Sequence, residues 1–241
     1  DFSKIQARFA NRMKLTSRDV AEVIQKRLLA KNEESLDSLE EVYNAQRNNF
    51  KTLFAFADGS KSFKDYEDLE HFNFSYPFVP YQFELFQAAI KNLSVHNAFE
   101  GKHSSVGERS MLGVFQQVAI QISEKRLGHL ASFDLMFEGI RNSLKSNIQR
   151  AILQAENNLS NDFAVSLLKA LFLVKYIKEF KPSIHNLCVL MLDKFDSDQA
   201  QLRKQIEEAL LILEQQVYIQ RNGDLYEYLT DEEKDIEHEI K

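Results

Sequence analysis

Apolar residues recur at helical spacing along most of the chain, and this pattern predicts a mainly helical protein. Predicted helices cover about 17–28, 34–56, 81–95, 106–127, 163–180, 184–194, 199–213 and 231–240, with one long or two short helices over 133–159. Between the second and third helices, Asp58-Gly59-Ser60 predicts a break, and a polar, aromatic connector then leads to Ser75.

Capping residues support several of these helix starts. Ser105 and Glu108 fit the S-x-x-E capping box, so a helix is expected to begin near Val106. Pro80 suits the first turn of the next helix upstream, because its fixed φ matches helical geometry. Asp198 closes an acidic cap before the helix that contains Leu202 and its buried stripe.

The last third of the chain changes its pattern from helical to alternating. The segment "QVYIQRNGDLYEYLT" alternates apolar and polar residues around Asn222-Gly223, which is a strong hairpin signal. Three helices followed by a two-stranded hairpin is the layout of a winged helix. We therefore expect a helical domain over 16–158 and a winged-helix domain over 159–241.

Composition agrees with a helical protein that buries a large core. The 241 residues are 44% hydrophobic and include 19 Phe, while Gly (7) and Pro (3) are scarce. Cys188 is the single cysteine, so an internal disulfide is excluded and the cytoplasm is the expected compartment. The most apolar run, 163–177, is interrupted by Lys169 and Lys175, so it predicts a buried helix and no membrane association.

Charge is distributed unevenly between the two predicted domains. Residues 160–241 contain 10 Lys and Arg against 16 Asp and Glu, which accounts for the whole net charge of −6. An acidic module opposes the phosphate attraction that drives nonspecific DNA binding. Arg203 and Lys204 on the third helix, with Arg221 in the wing, could still contact DNA locally, and docking of a protein is equally consistent with these residues.

The stretch "GKHSSVGERSML" invites comparison with a phosphate-binding loop, but its spacing fails. His96 stands where the first glycine of G-x-x-x-x-G-K-[ST] belongs, and His103 replaces the metal-binding hydroxyl residue. The six histidines are scattered without metal-ligand spacing, so no metal site is predicted. No nucleophile and base arrangement is evident either.

Arg109 is the better candidate for contact with an anion. It lies in the first turn of a capped helix, directly after Gly107 and Glu108, where its planar guanidinium can reach phosphate oxygens. The alternative is a solvated arginine paired with Glu108 or Asp134, which is the ordinary role of a charged surface residue.

Three segments together resemble AAA+ ATPases. "ARFANRMKLTSRDVAEVIQKRLL" is similar to the stretch that leaves the nucleotide-binding core and enters the helical lid. "GERSMLGVFQQVA" resembles the sensor 2 helix, and a winged helix follows as in origin-recognition-type members. The resemblance implies that residues 1–15 are the tail of the core, that Arg8 is an arginine finger with Arg12 as the alternative, and that Gly107 and Arg109 contact bound nucleotide.

The chain resembles one group more closely, the P-loop ATPase of the bacterial BREX phage-defence system, of the BrxC/PglY type. The segments that carry this resemblance are "RMKLTSRDVAEVIQKRLLAKNEE", "YPFVPYQFELFQ", "HSSVGERSML" and "YEYLTDEEKDIEHEI". It implies an antiviral role in a larger ATP-dependent protein, with other BREX proteins as partners and a homo-oligomeric parent. ATP and Mg²⁺ would belong to that parent. The chain starts at Asp1 and contains no Walker A or Walker B motif, so we expect a fragment without ATPase activity of its own.

Overall fold

The computed structural model describes residues 17–101 and 108–240, and this part of the chain is mainly helical, as the sequence predicts. Its α-helices are α1 (Ser17–Arg27), α2 (Glu33–Gln46), α3 (Phe50–Phe54), α4 (Leu69–Ser75), α5 (Tyr81–Val95), α6 (Glu108–Ile122), α7 (Met136–Ile140), α8 (Ser146–Asn158), α9 (Asp162–Val174), α10 (Ile184–Met191), α11 (Gln199–Gln215) and α12 (Asp231–Ile240). Short 3-10 turns occupy Arg47–Asn49, Phe133–Leu135 and Arg141–Ser143.

A two-stranded antiparallel hairpin follows α9, α10 and α11, so the predicted order of three helices and a hairpin is confirmed. Strand β1 (Ile219–Asn222) pairs with β2 (Leu225–Tyr228), and Asn222 lies opposite Leu225. The two turn residues are therefore Gly223 and Asp224, one position later than the Asn-Gly signal suggests. Gly223 adopts φ +62°, a conformation that favours glycine.

Helix ends differ from the predicted bounds at several places, and the helix predicted over 184–194 ends at Met191. The predicted helix over 34–56 is interrupted by the 3-10 turn at Arg47–Asn49, which redirects α3 so that Phe50, Leu53 and Phe54 are buried. Helix α6 ends at Ile122, and Gly128 lies in the following turn with φ +98°. The helix predicted to reach residue 180 ends at Val174, because the chain turns to bury Ile177 and Phe180.

Helix α4 lies inside the stretch predicted as a connector. Asp68 caps it by accepting a hydrogen bond from the backbone N–H of His71. Its aromatic residues obscured the helical period, yet Phe72 is fully buried. The ring of Phe72 contacts those of Phe50 and Phe195, so α4 is part of the core rather than a linker.

One hydrophobic core runs through the described residues and crosses the predicted domain boundary at residue 158. Phe50 of α3 lies 5.6 Å, centroid to centroid, from Phe195, which precedes α11. Helix α9 is nearly all buried and packs on α5, α7 and α8 as well as on α10, α11 and β2.

Within the described ranges, no helix has both the length and the apolarity needed to cross a membrane.

Candidate functional site

The predicted nucleotide-facing residues fall largely outside the described part of the chain. Arg8, Arg12 and Gly107 lie in the two segments that the structure does not describe. Arg109 is placed by its backbone in the first turn of α6, while its side chain is outside the description. The finger and sensor roles therefore stay predictions, whereas the helix that would carry Arg109 is established.

Helix α6 is held against α7 by an unusually close approach. Gly139 of α7 lies so near Val114 of α6 that an added Cβ would stand 2.5 Å from Val114 Cγ2. The next residue of α6, Phe115, is fully buried and stacks on Phe83 of α5 with ring centroids 5.0 Å apart. The position of α6 is thus fixed by α5 and α7 on its buried face.

Each basic residue predicted to contact DNA or a partner is paired with an acidic neighbour. Arg203 Nε lies 3.1 Å from Glu207 Oε1, and Lys204 Nζ lies 4.0 Å from Glu208 Oε1. Arg221 donates a hydrogen bond to the Gly223 carbonyl, its guanidinium lies 3.8 Å from Asp224, and it stands over the Tyr226 ring. These pairings reduce the positive potential that DNA phosphates would meet.

The solvent-facing side of α11 is acidic and partly apolar. Leu211 is 56% exposed. The exposed residues near Leu211 include the acidic Glu207, Glu208 and Glu214. The basic residues of the same helix are Arg203 and Lys204. Glu207 and Glu208 pair with Arg203 and Lys204, so this face carries a small net negative charge that does not favour contact with DNA phosphates.

Lys175 joins α9 to the hairpin and to α12. Its side chain is 1% exposed, and its ammonium group lies 3.0 Å from Glu227 and 2.9 Å from Glu233. It also donates a hydrogen bond to the Tyr228 carbonyl at 2.6 Å. The buried charge is therefore compensated, and Lys175 links the end of α9 to both the hairpin and α12.

Four charged side chains connect α7, α8 and α9. Arg141 pairs with Glu138 and Glu156, and Lys169 Nζ lies 2.9 Å from a carboxylate oxygen of each. Hydrogen bonds from Arg141 outweigh partial burial and lower the pKa of Glu156 to about 2. Both cations also stand over the ring of Phe137.

Asp134 is a buried carboxyl group in the 3-10 turn before α7. It is 7% exposed, and its Oδ1 atom finds no hydrogen-bond partner among the described residues. Burial raises the pKa of Asp134 to about 6, although a hydrogen bond from Ser132 and the charge of Lys169 act in the opposite direction. Asp134 lies in the core beside Tyr81. Burial of its charged form therefore lowers the stability of the folded protein.

A groove of about 560 Å³ lies between α1, α2 and the end of α6. Its apolar floor includes Leu28, Leu39 and Ile122, and its cationic residues are Lys31, Lys125 and Arg126. Lys31 Nζ donates a hydrogen bond to the Tyr76 carbonyl at 2.6 Å, and burial lowers the pKa of this amine to about 8. Cationic and apolar groups of the chain thus lie side by side in this groove.

Some of these groups had a signal in the sequence and others had none. Lys169 and Lys175 interrupt an apolar run, and both prove to be paired at the buried face of α9. Lys31 and Asp134 carried no local signal, because their burial arises from tertiary packing. No group of three or more potential metal ligands occurs in the described residues, and burial raises the pKa of the Cys188 thiol to about 11.

No protein-family model and no solved structure matches this chain.

Proposed function

We propose that this chain is the helical lid and winged-helix portion of an AAA+-like ATPase of a bacterial BREX anti-phage system. The segments that resemble the BrxC/PglY-type ATPase support this assignment. So does the order of α9, α10, α11 and the hairpin, which is the order of elements in a winged helix. The chain contains no Walker motif, so turnover is a property of the longer protein.

In this proposal, α6 is the nucleotide-sensing helix. Arg109 in its first turn reaches a phosphate oxygen when the lid folds over nucleotide, and Gly107 allows the close approach. Arg8, or alternatively Arg12, acts as the finger toward a neighbouring subunit, where a guanidinium stabilises charge on the transferring phosphoryl group. ATP and Mg²⁺ are held by the core of the longer protein.

The winged-helix part engages a protein rather than DNA, and the exposed face of α11 carries this preference. Leu211 is exposed among Glu207, Glu208 and Glu214, and Arg203 is already paired. Other BREX proteins are the expected partners. We expect nucleotide binding near α6 to alter this engagement through the shared core.

The first experiment measures ATP hydrolysis and nucleotide binding by the longer protein as wild type and as Arg109→Ala. Loss of turnover by about 10²-fold or more, with unchanged folding, supports the sensor role. Arg150→Ala is the control, because Arg150 is an exposed arginine on α8. Wild-type turnover in Arg109→Ala would overturn the role of α6.

The second candidate function is a non-enzymatic module that binds DNA through α11 and the wing. Titration of labelled duplex against this chain at two salt concentrations tests it, since binding to phosphates weakens steeply with salt. Salt-sensitive binding that is lost in Arg203→Ala, Lys204→Ala or Arg221→Ala would favour DNA. No binding at low salt leaves the protein-docking role.

A further inference from the structure

The outward face of α12 is an acidic stripe with one apolar residue in it. Glu232, Asp235, Ile236 and Glu239 are all exposed and recur at the spacing of one helix face. Ile236 is 57% exposed. The opposite face is fixed to the rest of the protein, because Lys234 stands over the Tyr218 ring and Glu233 pairs with Lys175.

The groove between α1, α2 and α6 has the complementary chemistry. Its cationic side chains Lys31, Lys125 and Arg126 outnumber the single lining carboxylate, Glu34. Leu127, 47% exposed, stands at its edge and adds apolar surface. An amphipathic helix with acidic residues around a central aliphatic residue would complement both the cationic side chains and the apolar surface of the groove.

We propose that α12 of a second copy of this chain docks in this groove, with Ile236 against the apolar floor and its carboxylates beside Lys125 and Arg126. The same chain cannot supply this helix, since α12 is fixed beside Lys175 and Tyr218. These residues take no part in the groove lining. The basic segment 1–16, with Lys4, Arg8, Arg12 and Lys14, would be repelled by the groove cations.

This contact joins different surfaces of the two copies. A heterologous contact of this kind generates a ring when the rotation closes and an open chain when it does not. A single short helix buries a small area, so the association is weak and depends on concentration. Its ionic part is screened by salt. The inference does not depend on the proposed ATPase role.

Sedimentation velocity of the chain over a wide range of concentrations, at low and high salt, tests the proposal. The mean mass is expected to rise with concentration at low salt and to fall back at high salt. Wild-type protein that stays monomeric at every concentration at low salt would overturn the proposal.

Charge-reversal variants identify the surfaces. Lys125→Glu with Arg126→Glu, and separately Asp235→Lys with Glu239→Lys, should each abolish association while thermal unfolding stays unchanged. Mixing the two variant proteins should restore association, because each then supplies the surface that the other lacks. Arg150→Glu with Lys178→Glu is the control for net charge, since both residues are exposed and lie outside the groove. Association that survives either reversal would show that another surface is used.

Discussion

Lys175 Nζ lies 2.9 Å from Glu233 Oε2, and the same oxygen accepts a hydrogen bond from the Thr230 backbone N–H at 2.7 Å. In return, Thr230 Oγ1 accepts from the Glu233 N–H, so the two residues form a capping box at the start of α12. The buried amine of α9 is therefore bound to the cap of the last helix. One carboxylate fixes both the helix start and its attachment.

The first prediction compares the loss of the carboxylates that pair with Lys175 with the loss of the Lys175 amine itself. Glu227→Gln with Glu233→Gln leaves Lys175 buried without a counter-charge and should lower the free energy of unfolding by about 3 kcal/mol. Lys175→Met should cost less, about 1–2 kcal/mol, because both carboxylates are about 40% exposed and regain water. Urea unfolding followed by circular dichroism measures both values. A larger loss in Lys175→Met would contradict this reasoning.

The second prediction concerns the contact between α6 and α7. Gly139→Ala places a methyl group against Val114, which is 3% exposed, and should destabilise the protein by about 1–3 kcal/mol. Gly113→Ala is the matched control, because among the described residues no neighbouring atom outside its own helix backbone lies within 4 Å of the added Cβ, and it should stabilise α6 by about 0.5–1 kcal/mol. Val114→Ala in the Gly139→Ala background should recover part of the loss. Equal melting temperatures for the two glycine variants would refute the close approach.

The third prediction follows from the raised pKa of Asp134. Because the folded pKa is about 6 and the ordinary value is 3.8, this group's contribution is full below pH 3.8 and is lost as pH rises through 6. Asp134→Asn removes the buried charge and should raise the unfolding free energy at pH 7 by about 1–3 kcal/mol, with little effect near pH 4. Thermal melts from pH 3.5 to pH 7 measure the difference.

Asp196→Asn is the control for Asp134→Asn, because Asp196 is exposed. It should change the free energy of unfolding by no more than about 0.5 kcal/mol at every pH. A stability gain for Asp134→Asn that is the same at pH 4 and pH 7 would show that ionisation is not its cause.

The fourth prediction concerns Glu156, whose contribution to stability changes with pH in the opposite direction. The folded pKa of Glu156 is about 2, below the ordinary 4.5, so its contribution is present above pH 4.5 and is lost as pH falls toward 2. Glu156→Gln should destabilise the protein at pH 7 by about 1 kcal/mol, a value reduced by solvent access to the pair. Glu40→Gln, an exposed carboxylate on α2, is the comparison. A difference that persists unchanged at pH 3 would exclude the ion pairs with Arg141 and Lys169 as the source.

Local signals in the sequence predict the elements better than their ends. The hairpin, the Asp198 cap and the apolar stripe of α11 depend on neighbouring residues only, and they are confirmed, although the turn lies at Gly223-Asp224 and not at Asn222-Gly223. Helix α4 was missed because clustered aromatic residues hide the 3.6-residue period. The end of α9 at Val174 was missed because it depends on distant residues that bury Ile177.

The candidate site, too, could be predicted from the sequence only in part. The basic residues of α11 and the wing could be named from the sequence, but their pairing with Glu207, Glu208 and Asp224 requires coordinates. The groove could not be anticipated, because α1, α2 and α6 meet there only in the folded chain.

The placement of α9 also has a mechanical consequence. Helix α6 packs on α7, α7 packs on α9, and α9 packs on β2, so two intervening helices separate the start of the proposed sensing helix from the hairpin. Close-packed interiors compress little and transmit displacement. A displacement of α6 would therefore be passed through α7 and α9 toward the hairpin instead of being absorbed between them.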